Sequence, residues 1–130
     1  MSTLWYNMAE RKVKGMIYSG ELISELTLLK KYGLPENKVA KLAGISQRTI
    51  NRWKKNKTHP SESSLRNFQQ VIELITKLEE VFENVDEAKH WLSTPNDSLN
   101  GKSPKDVLVE DNDLQKILTL LTRLEWGIPD

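Results

Sequence analysis

The sequence predicts an all-α protein: a helix-turn-helix unit joined by a long helix to a smaller helical unit. Three observations carry this. Apolar residues recur three and four apart in the long segments, as at Leu22, Leu26 and Leu29 and again at Leu114, Ile117, Leu118, Leu121 and Leu124. Apolar–polar alternation never lasts, and the β-branched residues fall inside helical stripes. Residues 34–54 contain a short apolar helix pattern, a glycine, and a second, strongly polar helix pattern.

Taken in order, residues 1–20 form an N-terminal arm, partly ordered or self-associating, in which Trp5, Tyr6, Met8, Val13, Met16, Ile17 and Tyr18 give no clean period and Arg11, Lys12 and Lys14 form a basic cluster. Residues 21–64 are read as the helix-turn-helix domain. Its first helix covers 21–32, with Leu22, Leu26 and Leu29 inward and Ile23 alongside, and Gly33 ends it. Pro35 suits the first turn of the next helix, where its missing N–H is no loss. Val39, Ala40, Leu42 and Ala43 make a short apolar face, with Ala40 small enough for close helix approach. Gly44 supplies the sharp corner, Ile45 plugs it, and Ser46 caps the helix that follows. Ile50 and Trp53, three apart, anchor that helix to the core.

Residues 65–83 belong to a long connecting helix capped by Ser61. It carries two apolar stripes, one through Leu65, Phe68, Ile72, Ile75, Glu79 and Phe82, the other through Val71, Leu74, Leu78 and Val81. Two stripes imply two packing surfaces, one closing the helix-turn-helix core and one serving the C-terminal unit or a second chain. Residues 84–130 form that unit. A short helix over 86–92 places Val85, Ala88, Trp91 and Leu92 inward; Thr94, Pro95 and Asn96 break it. Leu99 is a single inward plug before the turn at Asn100 and Gly101. Ser103, Pro104 and Asp106 form a helix start, with cap, first-position proline and capping-box acid. The last helix covers 113–125, and Gly127 closes it.

A chain of 130 residues builds one modest core or two small units sharing one. With no cysteine there is no disulfide framework and no thiolate zinc site, and His59 and His90 stand far apart without neighbouring ligands, so no metal is expected. No apolar run is long enough to span a membrane and no signal-peptide core opens the chain; a cytoplasmic protein is expected. The net charge of +1 conceals an asymmetry. Residues 1–60 carry twelve Lys/Arg against four acids, a net of +8, and residues 61–130 seven against fourteen, a net of −7. The basic half attracts phosphate backbones, while the acidic half turns away from them toward solvent or a protein.

The polar face of the second corner helix gives the basic half its chemistry. Arg grips guanine edges or phosphates, and Gln and Asn pair with adenine in the major groove. The N-terminal part of such a helix enters the groove. Gln47, Arg48 and Asn51 are therefore the candidates for base edges, and Ser46, Thr49, Arg52, Lys54, Lys55 and Lys57 for the phosphate backbone. The bland alternative is a cationic surface helix that touches nothing. No catalytic set stands out: Asp86, His90 and Ser93 share one short acidic helix with no cleft to dry them, and no glycine-rich loop follows a strand. The chain is read as a non-enzyme that needs no cofactor.

Gly44, Ile45, Ser46, Gln47, Arg48, Thr49 and Arg52, then Ser64, Leu65 and Arg66, Trp91 and Leu92, Pro95 and Asn96, Leu99, Gly101, Ser103 and Pro104, and finally Arg123 to Gly127 (RLEWG) together resemble antitoxins of the Xre/MbcA/ParS type, from about residue 34 onward. The combination WL, PN, L and GKSP is fairly specific, whereas a helix-turn-helix alone is shared by many repressors. The resemblance implies a type II toxin–antitoxin system: a homodimeric antitoxin that binds its own double-stranded operator and blocks a cognate toxin of the RES type, an NAD-degrading enzyme. It also implies that the C-terminal region covers the toxin's active-site entrance, which makes Leu121, Arg123, Glu125, Trp126 and Ile128 the candidate toxin contacts. Trp91, Leu92, Pro95, Leu99, Gly101 and Pro104 resemble the scaffold of that domain. Many relatives carry Thr–Glu–x–Gly before the last helix. This chain has Val109, Glu110, Asp111, Asn112 and Asp113, so a differently shaped turn is expected there. The alternative reading is a stand-alone repressor whose C-terminal unit serves dimerisation.

Overall fold

The computed structural model describes residues 19–127 except positions 56 and 59. The readings made for residues 1–18, for His59 and for Ile128 lie outside the described residues. Among the described residues the secondary structure is helical throughout, with no strand: α1 Ser19–Lys31, α2 Glu36–Ala43, α3 Gln47–Lys54, α4 Glu62–Val81, α5 Val85–Ser93, a 3₁₀ turn Asp97–Leu99, α6 Pro104–Val109 and α7 Leu114–Glu125.

Helix starts follow from short polar side chains. The hydroxyls of Ser46, Ser61 and Ser103 accept from the backbone N–H groups of Thr49, Ser64 and Asp106 at 3.0, 3.1 and 3.1 Å. Asn84 and Asp113 do the same for Glu87 and Lys116 at 2.9 and 3.1 Å. Pro35 stands one position earlier than its sequence pattern suggests. It is the N-cap of α2 rather than the first helical residue, with φ −68° and ψ 162° and no side chain to cap with. The corner after α2 turns on Gly44, whose φ of 66° and ψ of 32° lie in the left-handed region. Its N–H donates back to the Lys41 carbonyl at 3.1 Å, and the Ile45 N–H reaches the Ala40 carbonyl at 2.9 Å. Before the last helix, Asn112 takes φ 54°. The turn that lacks the relatives' glycine still contains a left-handed residue, because Asn tolerates that region better than other L-residues.

α1 departs from its predicted pattern. Leu22, Leu26 and Leu29 are buried as expected, but Ile23 is 45% exposed and Glu25 only 3%. At 100° per residue, 22, 26 and 29 cluster within one third of the helix circumference. Position 23 falls off one side of that cluster, while 25 falls on its other, inward side. The acid is thereby carried into the core by its neighbours.

α4 is the spine. It ends at Val81 rather than 83, since Phe82 turns to extended backbone with φ −114°. Most of both stripes is buried within the chain, Leu65, Phe68, Ile72 and Ile75 on one, with Phe68 meeting Trp53 edge to face at 6.3 Å, and Val71, Leu74 and Leu78 on the other, but Glu79 stands exposed and Val81 and Phe82 are only half-buried. α4 packs most extensively on α7, so the C-terminal unit, not a second chain, takes the second surface. α6 also touches α2, and Lys105 of α6 lies over Gly33 at the end of α1. One apolar core therefore runs without a break from Leu22 to Leu121. This continuity makes α4 a rigid lever between the corner helix α3 and the end of α7.

Candidate nucleic-acid and protein-binding surfaces

α3 shows two faces. Ile50 and Trp53 are 0% and 2% exposed and bolt it to the core, while Arg48, Asn51, Arg52, Lys55 and Lys57 stand exposed. Ala40 and Gly44 sit beneath, one buried and one at the corner. Among the described residues no acid pairs with Arg48, Arg52, Lys55 or Lys57. Lys54 differs: its Nζ lies 3.1 Å and 3.2 Å from the two carboxylate oxygens of Glu36. A backbone-gripping role for Lys54 therefore competes with an internal partner. Gln47 is half-buried, and its amide nitrogen donates to Glu36 Oε1 and, at 3.2 Å, to Asn51 Oδ1. Ser46 and Thr49 are joined through their hydroxyls at 2.8 Å, with Ser46 also engaged as the helix cap.

The other end of the molecule is built by α4, α5 and α7. Leu121 is 0% exposed and belongs to the core, so it presents no surface to a partner; its stripe position on α7 points it at α4. Arg123 and Trp126 are exposed, Trp126 at 75%. Glu125 Oε1 accepts from Lys77 Nζ at 2.8 Å, which ties the last helical residue to α4. This bond holds the Lys77 pKa above its ordinary value. Of the scaffold set, Leu92, Leu99 and Pro104 are buried, and Gly101 takes φ 82° in the turn after Leu99. Trp91 and Pro95 are not interior: Trp91 is half-buried against Phe82, ring centroids 5.5 Å apart, and Pro95 is exposed. Together with Leu124 these three side chains line an open groove beside Trp126's helix.

A helix-turn-helix family model matches residues 27–74, and the model described as the antitoxin Xre/MbcA/ParS C-terminal toxin-binding domain matches residues 77–127. In this order of parts the chain resembles the Xre/MbcA/ParS antitoxins. A solved structure titled as the M. tuberculosis MbcT–MbcA toxin–antitoxin complex contains a chain that is 25% identical, with a TM-score of 0.54. The match covers 82% of this chain and 96% of that one. No curated protein matches the sequence.

The boundary between the two matched models falls inside α4, the helix both units share. Two site residues escape a reading of the sequence. Glu36 opens α2 and Gln47 opens α3; the corner at Gly44 folds these two helix starts together, a proximity visible only once the turn geometry is in hand. Lys77 meets Glu125 across 48 positions, and nothing in the spacing announces it. Asp86, His90 and Ser93 are all exposed on α5, and among the described residues no cluster of His, Asp or Glu suits a metal ion. No described helix is long and apolar enough to cross a membrane.

Proposed function

We propose that this chain is the antitoxin of a type II pair, inhibiting a RES-type, NAD-degrading toxin sterically and repressing its own operon. The observation that carries the reading is the presence of two unlike surfaces on one continuous core. The cationic face of α3 has the side chains to engage duplex DNA: Arg48 and Asn51 at base edges, Arg52, Lys55 and Lys57 at phosphates. The end of α7 offers Arg123 and an exposed indole, the residue types enriched at protein-binding hot spots. The MbcT–MbcA relative is itself a toxin–antitoxin complex, which supports a toxin as the occupant of that end.

The mechanism needs no chemistry from this chain. Trp126 and the groove beside it cover the entrance of the toxin's active site and exclude its substrate. Homodimerisation places two α3 helices about one DNA turn apart on a palindromic operator. Toxin binding bridges or strengthens such dimers and raises their avidity.

The test is co-expression. The product of the adjacent gene should arrest growth alone and be neutralised by this chain, and Trp126→Ala with Arg123→Ala should abolish neutralisation. A promoter-reporter assay should show repression that Arg48→Ala with Asn51→Ala relieves. A neighbour that is harmless, or that stays toxic beside the intact chain, overturns the antitoxin reading. Loss of dimerisation and of repression on removing residues 114–130, in a protein that stays folded and with no toxin in the operon, would favour the stand-alone repressor.

A further inference from the structure

We infer that Glu36 sets the hydrogen-bond polarity of the recognition helix, so that the position opposite Gln47 must present an amino group, as adenine and cytosine do, rather than a keto oxygen. The inference rests on the DNA-binding reading above and deepens it.

The argument begins with a carboxylate that can only accept. Glu36 Oε1 lies within hydrogen-bond distance of the Gln47 side-chain amide, so the amide must turn its NH₂ group inward; its oxygen there would face another oxygen. The orientation of this glutamine, usually a matter of choice between two near-equal flips, is here dictated by the charge of its neighbour. The second N–H of the same group donates to Asn51 Oδ1 at 3.2 Å. Both amide hydrogens of Gln47 are then engaged within the protein. What it has left for a ligand is its carbonyl oxygen, an acceptor. Asn51 is oriented in turn: its oxygen is taken, and its NH₂ remains to donate. Lys54 Nζ, 3.1 and 3.2 Å from the Glu36 oxygens, clamps the carboxylate in place and offsets its repulsion from nearby phosphates.

A free glutamine reads adenine with two bonds, donating to N7 and accepting from N6. A glutamine locked as Gln47 is cannot donate. It accepts from adenine N6 or cytosine N4 alike, and it meets guanine O6 or thymine O4 oxygen to oxygen. The expected signature is a division of the four bases into amino and keto sets. Glu36 touches no base in this scheme and is a positioning residue.

The full chain is used to select duplexes from a randomised double-stranded DNA library, and the selected duplex is re-measured with each base pair at every position. Gln47→Ala identifies the position facing Gln47, as the one whose preference disappears. There the native chain should accept A and C on the contacted strand about tenfold or more over G and T. Glu36→Gln should collapse that division, since a neutral partner lets the Gln47 amide turn over, while the preference set by Arg48 and the melting temperature stay unchanged. Adenine alone being accepted, a purine–pyrimidine division, no position responding to Gln47→Ala, or an intact amino–keto division in Glu36→Gln would each overturn the inference while leaving DNA binding standing. Recovery of no duplex at all would overturn the DNA-binding reading, and this inference with it.

Discussion

Lys77 Nζ lies 2.8 Å from Glu125 Oε1, joining the C-terminal part of the spine helix to the last residue of the final one. The bond fixes the helix end from which Trp126 projects. Ion pairs this accessible contribute about 0–1 kcal/mol to stability. Lys77→Met should therefore lower the unfolding free energy by no more than about 1 kcal/mol, yet weaken inhibition of the cognate toxin, because the end of α7 loses its tether. Thermal melting and an inhibition titration, run on the same preparation, separate the two effects. The lysine's pKa is raised above its ordinary value in the folded state, by the bond to Glu125 first of all. The stabilisation is thus complete at neutral pH and is lost only as pH rises through the elevated value.

Glu25 should make stability fall as pH rises through neutrality. The residue is 3% exposed, and burial, then the charge of Glu79, push its carboxyl pKa from 4.5 to about 7. One oxygen, Oε2, has no hydrogen-bond partner among the described residues. The folded protein holds this proton over a range where the unfolded chain has released it, so unfolding gains ground between those two values. Glu25→Gln should remove the pH dependence and stabilise the protein at pH 8 by about 1–3 kcal/mol, because a neutral amide avoids the cost of a buried carboxylate charge. Denaturant titrations at several pH values from 5 to 8 provide the measurement; a flat profile for the native chain would contradict it.

Gly44 should tolerate asparagine better than alanine. A Cβ added there meets nothing within 4 Å, so the cost of substitution is backbone strain alone. At φ 66° that cost is about 1–2 kcal/mol for alanine, and less for asparagine, which visits the left-handed region more readily. The unfolding free energies of the two variants decide the point. Operator binding should follow the same order, since the corner sets the angle of α3.

The cationic residues of the corner should separate into two behaviours in binding isotherms. Removing Arg52, Lys55 or Lys57 should weaken every duplex alike and reduce the salt slope by about 1 per lost phosphate contact. Arg48→Ala should cost about 1–3 kcal/mol on the preferred duplex and far less on an unrelated one. Lys54→Ala should change the salt slope little, because its ammonium already neutralises Glu36.

Much of this architecture is readable from local chemistry. Serine, asparagine and aspartate caps, the first-position Pro104 and the apolar periods of α1, α4 and α7 place the helices to within a few residues. Arg48, Asn51 and Arg52 of α3 stand exposed because Ile50 and Trp53 turn the opposite side of the helix to the core. These features depend on residues three or four apart, a range over which the backbone is its own template.

Other features arise only when distant segments meet. Leu121, a toxin contact by resemblance, is interior, since α7 buries its apolar stripe on α4. Glu25 is carried inside by its leucine neighbours, and Ile23 is left outside. The polarity of Gln47, the diversion of Lys54 and the tether at Glu125 each require a partner on another helix. Capping and periodicity act within one turn and leave their mark in the residue order. Burial and charge pairing across helices depend on crossing geometry, which the residue order specifies only through the packing of the whole core.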